Sequence, residues 1–310
     1  MLALLLGACA STRPAPPPNV LIGASGHSSG SVLAVNPAST LVASGGLEGT
    51  VRIWRLRDGE AIGSWQAHSG TVNGLAFSSD GNELLTAGYD GTLALWSLGG
   101  NMHLRVDQLP PITAFDVGRA GEIAITGHAD GSLRWWEPST LRLLRGFTVH
   151  RSAVRAVALG PDVVASSADD REVILTDPRG GTRGLPEPPT YARSLAFAPD
   201  GSSLYGAGWF KLYRWDPDGA GLQILPTDHW GVIKHIRFTP DGRQLASISR
   251  QTDSAVLLID PETGRSSKFL GKHDLCGRYV ITSPDGRYLV TTGDDASIRI
   301  WDLQDPLLPR

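Results

Sequence analysis

Residues His68–Trp96, HSGTVNGLAFSSDGNELLTAGYDGTLALW, decide how the rest of the chain is read. Val72 to Phe77, Glu83 to Ala87 and Thr92 to Trp96 alternate apolar and polar residues with the period of two that half-buried strands require. Ser79-Asp80-Gly81 and Tyr89-Asp90-Gly91 separate them, each with a glycine where a tight hairpin turns φ positive. The spacing recurs seven times between Gly26 and Trp301. Aligned on the closing residue, Trp54, Trp96, Trp136, Thr176, Trp215, Ile259 and Trp301 share one slot, with separations of 42, 40, 40, 39, 44 and 42 residues. Hairpin turns recur in phase with it: Ser78-Ser79-Asp80-Gly81, Ala198-Pro199-Asp200-Gly201, Thr239-Pro240-Asp241-Gly242 and Ser283-Pro284-Asp285-Gly286. Pro presets φ in such a turn and Gly closes it.

A repeat of this length and strand content resembles the tryptophan-aspartate (WD) repeat family of β-propellers. The resemblance implies an all-β fold, a seven-bladed β-propeller of four-stranded blades, forming one domain over residues 20–310. Fourth strands are expected after the closing slot, as at Glu60 to Gln66 and Leu141 to Phe147. The last repeat has no such strand, because the sequence ends nine residues after Trp301. Residues 20–24 precede the first repeat without a blade of their own, so this N-terminal strand is expected to pair in the last blade and close the ring. Closure would remove an exposed sheet edge.

The resemblance also gives the recurring polar residues a role. In WD repeats a loop His bonds a turn Asp and a strand Ser or Thr, and the hydroxyl meets the indole N–H, forming a structural tetrad. Blade two supplies His68, Thr86, Asp90 and Trp96; blade seven supplies His273, Thr291, Asp295 and Trp301. Blade one has His27, Ser44, Glu48 and Trp54, with Glu in place of Asp. Blade three has Thr126, Asp130 and Trp136, with Gln108 in the His slot. Blade four has His150, Ser166 and Asp170 but Thr176; blade six has His229, Asp253 and Ser247 but Ile259. In blade five Pro188, Tyr205 and Trp209 fill the three polar slots, and only Trp215 remains. A nucleophilic triad is the competing reading of His, Asp and hydroxyl residues, but a catalytic set has no reason to recur in several blades. No catalytic residue is therefore assigned.

A loop His can reach a turn Asp only if both loops lie at one end of the ring. Ser28, Ser69, Arg151, Trp230 and Asp274 should crowd that end, with Leu47, Tyr89, Ala129, Asp169, Gly208, Thr252 and Asp294. Tyr89, Arg151, Trp209 and Trp230 are the candidates for a partner-binding face. The aromatics Trp209, Phe210, Tyr213 and Trp230 near the boundary of blades five and six are read first as packing between sheets and second as a partner anchor. No ligand type clusters, so neither a metal nor a cofactor is expected. The net charge of -3 gives no sign of nucleic-acid binding, and the basic stretch Arg142, Arg145, Arg151 and Arg155 is read as solvated strand and loop positions.

The first residues read differently. MLALLLGACAS is apolar but far shorter than the roughly 20 residues that span a bilayer. Leu6-Gly7-Ala8-Cys9 resembles the lipobox of bacterial lipoprotein signals, which implies residues 1–8 as the remnant of a signal peptide and a lipid on Cys9. The segment lacks the basic start of an ordinary signal, so the true start is expected several codons upstream. Residues 9–19 would be a lipidated, Pro-rich tether, placing the protein in the cell envelope, at the outer membrane facing the periplasm. With Cys9 lipidated, Cys276 has no disulfide partner. The function expected from these readings is an interaction scaffold with protein or peptide partners on the loop face. The alternative is an envelope propeller enzyme or small-ligand sensor, with Asp169, Asp274 and Asp294 as the carboxylates for acid-base work.

Overall fold

The computed structural model describes residues 18–23, 25–118, 121–218 and 221–305; Cys9 and the lipobox lie outside them. Seven four-stranded antiparallel sheets stand around one axis, and no helix is present among these residues. The strands predicted in the second repeat occur at Val72–Phe77, Glu83–Gly88 and Leu93–Ser97, followed by an outer strand at Met102–Val106. Alternation alone dictates the layering. In each sheet the inner three strands bury their apolar faces, whereas outer strands such as Ala61–Gln66 and Arg142–Thr148 leave most side chains in water.

The turns between first and second strands explain why the repeat carries Asp-Gly there. Gly81, Gly201, Gly242 and Gly286 take φ between 72 and 75°, the left-handed region where a Cβ is costly. The preceding Asp side chain accepts the next backbone N–H, as Asp80 does from Asn82 at 3.1 Å and Asp285 from Arg287 at 3.0 Å.

Seven apolar clusters hold the ring, one between each pair of neighbouring blades. Ala43 and Ile53 of blade one meet Val72, Leu75 and Leu84 of blade two. Each later junction repeats the scheme. The seventh cluster joins the chain ends: Leu33, Val42 and Trp54 of blade one pack on Val290, Ile298 and Ile300 of blade seven. Val20–Ile22 pairs antiparallel with Ile298–Ile300 as the outer strand of that last blade, so the N-terminal strand closes the ring. Asn19 adds a side-chain bond to the backbone of Asp302.

Removing residues 18–23 should expose the edge formed by Ile298–Asp302 and uncover Tyr288 and Val290. The expected result is a lower thermal midpoint and self-association by size-exclusion chromatography. A monomer of unchanged midpoint would show that the closing strand contributes nothing.

Candidate functional site

The imidazole of His68 ties the loop entering blade two to its sheet. Its Nδ1–H donates to Asp90 Oδ1 at 3.0 Å, and its Nε2 accepts the Thr86 hydroxyl at 2.8 Å. The same hydroxyl oxygen accepts the indole N–H of Trp96 at 3.0 Å. Blade one repeats the chain through Glu48, His27, Ser44 and Trp54, the indole reaching Ser44 Oγ at 2.9 Å. The turn carboxylate has a further task. Asp90 Oδ2 accepts the backbone N–H of Ser69 at 2.9 Å, Asp253 Oδ2 that of Trp230 at 2.9 Å, and Asp295 Oδ2 that of Asp274 at 2.9 Å. Arg151 N–H meets Asp170 in the same way at 3.2 Å. One carboxylate thus fixes both the imidazole and the first residue of the face beyond it.

Departures from the pattern have local causes. In blade three Gln108 is exposed and takes no part in the buried bonding. His128 supplies the imidazole from the second strand, two residues after Thr126 and therefore on the same side of the sheet. Its Nε2 accepts the Thr126 hydroxyl at 2.8 Å, its Nδ1–H donates to the Pro110 carbonyl at 2.8 Å, and Trp136 donates to Thr126 at 2.8 Å. Asp130, expected in this tetrad, instead accepts from the backbone and hydroxyl of Ser132. The signal for His128 was a His two positions beyond the strand hydroxyl, a spacing absent from the other repeats.

Blades four and six keep the imidazole links, His150 to Asp170 and Ser166, and His229 to Asp253 and Ser247. Without an indole the Ser247 hydroxyl also lies 3.3 Å from the Leu257 carbonyl, and the buried Thr176 hydroxyl has no partner among the described residues. In blade seven His273 joins Asp295 and Thr291 at 3.0 and 2.8 Å, but the Trp301 indole N–H is buried without a partner among the described residues. Blade five is braced by other means: Trp215 donates to the Pro186 carbonyl at 2.9 Å, and Thr190 bonds Tyr213 Oη at 2.6 Å.

Burial holds the imidazoles of His27, His68, His150 and His273 below their ordinary value, against the pull of the adjacent carboxylates. His128 is lowered for the same reason. Burial would raise the Asp253 carboxyl, but the bonds from His229, Ser249 and Trp230 N–H outweigh it and bring it down to about 2. Asp295 is likewise held well below the usual carboxylate range, burial being overcome by His273, Ser297 and the Asp274 N–H. Neutral imidazoles bonded to ionised carboxylates are geometrically fixed donors, closed off from solvent.

The end of the ring carrying these loops exposes large apolar side chains: Leu47, Tyr89, Trp209, Phe210, Trp230 and Leu275. Trp230 is 77% exposed and Trp209 47%, whereas Tyr213, expected with them, is fully buried. The Trp209 backbone is held by Thr190 and bridges to Val232, and its ring meets Phe210 edge-on at 6.1 Å. Of the basic stretch, Arg142 pairs with Glu137 on the outer rim, Arg145 reaches the Pro178 carbonyl and Arg151 is exposed at the loop end. Arg155 is an exposed strand position, as expected, but it is not free of the site. It lines the channel and pairs with Asp169 at 2.7 Å.

The channel narrows around a ring of side chains set by backbone register. The innermost strands of blades two, three, four, six and seven each slip by one residue near the loop end, at Asn73, Thr113, Arg155, Lys234 and Arg278. Such a bulge re-aims the extra side chain. With Ser31 and Arg193, which stand just before the two unslipped strands Val32–Val35 and Ser194–Phe197, these residues line a cavity of about 220 Å³. Gly30 is required there, since a Cβ would lie 2.1 Å from Arg278 Cγ.

The carboxylates considered for acid-base work each have a guanidinium partner: Asp169 with Arg155, Asp294 with Arg278, and Asp274 with Arg299 at 2.8 Å. Those of Asp169 and Asp294 lie below the ordinary carboxylate range, Asp169 chiefly through Arg155, and Asp294 through bonds from Arg278 and Ser29 that overcome its burial. Among the described residues one group brings three metal-ligating types together, His150, Asp170 and Glu172, with ligand atoms within 4.8 Å. Both nitrogens of His150 are already used, by Asp170 and Ser166.

Three stretches, residues 19–55, 59–97 and 273–302, match the profile of the WD domain, G-beta repeat family (WD40). Over 89% of its length the chain is 25% identical to DDB1- and CUL4-associated factor 13 of Xenopus tropicalis, of which it spans 65%. It is also 25% identical, over 88% of its length, to 13% of telomerase protein component 1 of Mus musculus. Similarity to WD repeat-containing protein SL1-17 of Schistosoma mansoni is 30% identity over 60% of this chain and 64% of that protein.

His128→Ala should lower unfolding free energy by about 2–3 kcal/mol, the cost of orphaning its buried partners. Gln108→Ala should change it by less than about 0.5 kcal/mol. Urea titrations of both variants check the assignment; equal effects would contradict it. Because the folded imidazoles titrate below the unfolded value of 6.5, the unfolded chain gains protons first as the pH drops. Their contribution is complete above about pH 6.5 and drains below it, and the depressed carboxylates add to the loss below about pH 4. The urea midpoint should fall steadily from pH 7.5 to pH 4; a flat or rising profile would refute this linkage.

Proposed function

We propose that this chain is a WD-repeat propeller that serves as a protein-interaction scaffold, tethered to a membrane of the cell envelope by lipid on Cys9. The observation carrying the scaffold reading is the loop end, where Trp230, Trp209, Phe210 and Tyr89 stand exposed on a braced frame. Exposed aromatics in this number mark interaction surfaces on soluble proteins. Trp230 is not a floppy loop residue. Its N–H is held by Asp253 and its carbonyl accepts the Thr252 hydroxyl, so little backbone freedom remains to be lost when a partner docks. Tyr89 and Arg151, on blades two and four, widen the same face. WD40 repeats within the chain support the reading, as does a relative whose name describes association with DDB1 and CUL4. Non-catalytic work agrees with carboxylates that are committed to guanidinium partners.

The tether rests on Leu6-Gly7-Ala8-Cys9. Among the described residues no helix is long and apolar enough to cross a membrane. Two or more acyl chains would hold the protein at a bilayer stably, one only marginally.

Crosslinking and affinity capture from membranes test both parts. Trp209→Ala with Trp230→Ala should abolish captured partners while the thermal midpoint moves by no more than a few degrees, since both rings are solvent-exposed; retention of the same partners would overturn the face assignment. Cys9→Ala should shift the protein from the membrane fraction to the soluble one. Soluble wild-type protein would overturn the anchor and leave the scaffold reading standing.

A further inference from the structure

We propose that the channel mouth at the loop end is a binding site for a doubly charged phosphoryl group, held by Arg193, Lys234, Arg278 and the flanking Arg250. The ring at the bulges is chemically one-sided. Blades one to three contribute Ser31, Asn73 and Thr113, and blades four to seven contribute Arg155, Arg193, Lys234 and Arg278. Asn73 and Thr113 each donate to a backbone carbonyl, of Ile112 and Gly127, which ties the neutral half to the frame.

The cationic half is only partly paired. Arg155 and Arg278 have Asp169 and Asp294 as partners. Lys234 has no hydrogen bond or ion pair among the described residues, nor has the guanidinium of Arg193 beyond the Tyr191 ring 6.0 Å away. The Nε of Arg250 is buried without a partner among the described residues. Five cations against two carboxylates leave about three positive charges gathered around one cavity. Burial first, and then the fields of Arg278, Arg193, Arg250 and Arg155, lower the Lys234 ammonium to about 8, in keeping with a cation that has no carboxylate of its own. Deeper in the channel the Arg237–Asp116 pair at 3.2 Å and the stack of His235 on Tyr279 at 3.8 Å form a floor that neutralises itself.

Charge and direction select the ligand class. A single carboxylate is matched by one guanidinium fork, and would leave most of this excess uncompensated. A phosphoryl dianion offers three terminal oxygens, which suits donors converging from successive blades, with Arg supplying planar forks and Lys a point charge. The source is either a free small phosphate or a phosphorylated side chain of a docked protein. Only the second rests on the scaffold reading, and the site itself does not.

The test is calorimetric titration of the full chain with inorganic phosphate at fixed ionic strength set with chloride. It is repeated with a short neutral peptide carrying one phosphoserine and with its unphosphorylated form. Wild type should bind phosphate, and Lys234→Gln combined with Arg193→Gln should weaken it by at least about tenfold, as expected for lost charge-assisted bonds. The double variant should melt no lower than wild type, because it relieves repulsion. A purely structural role would make it melt lower. Tighter binding of the phosphopeptide, absent without its phosphate, supports the site with a protein source; binding of free phosphate alone supports it with a small-molecule source. If phosphate gains nothing over chloride, or binds the variant as well as wild type, the proposal is overturned, whatever partners the loop face captures.

Discussion

The turn carboxylate is the constraint on which the loop end depends. Asp90, Asp253 and Asp295 each accept from an imidazole and from the backbone N–H that follows that imidazole in sequence, on separate oxygens in Asp90 and on one oxygen in Asp253, whose other oxygen takes the Ser249 hydroxyl. The carboxylate therefore couples a buried chain of bonds, running from His through hydroxyl to indole in the complete blades, to the position of a surface residue. The energetic asymmetry of hydrogen bonding makes the coupling stiff. Making these bonds contributes modestly, but leaving any buried member alone costs about 1–3 kcal/mol. A loop that moved away would orphan two groups at once.

The same asymmetry explains how incomplete blades survive. Blade three has no loop imidazole, and His128 reaches the strand hydroxyl from within the sheet. In blade five no imidazole exists to be satisfied, and its indole turns to a backbone carbonyl. Blade six replaces the indole with Ile259, which asks for no partner and joins an apolar cluster. Five of the seven blades thereby avoid the half-built network. Among the described residues Thr176 and Trp301 are the two places in these slots where a buried donor stays unmatched, and both lie in blades whose imidazole is retained.

Much of this was legible in the chain as written. The in-phase Trp slots and Asp-Gly turns carry the blade number, strand order and closing segment, because a period of two within a period near 40 leaves few ways to bury apolar faces. The family profile covers the first two blades and the last, those in which His, a turn carboxylate and Trp all stand at their expected spacing. Elsewhere spacing misleads. His128 sits where no loop residue is sought, and Tyr213 lies fully buried beside an exposed Trp209 that shares its aromatic character. The channel ring was illegible for a sharper reason: a bulge is a slip of register between two strands, so its consequence for a side chain depends on pairing and not on local pattern.

Placed together, the bulges and the bonding chains divide the propeller in two. Blades one to three complete a hydroxyl-to-indole link, and the residues they present to the channel mouth are neutral and bonded to backbone carbonyls or buried. Blades four to seven each lack that link, and each presents a cation there. No covalent or steric necessity joins the two features, since the indole slot lies on the third strand and the bulge on the first. Local departures from an otherwise consistent pattern concentrate at sites of use, and here they share one side of the axis with Trp209 and Trp230, whose loops belong to blades five and six.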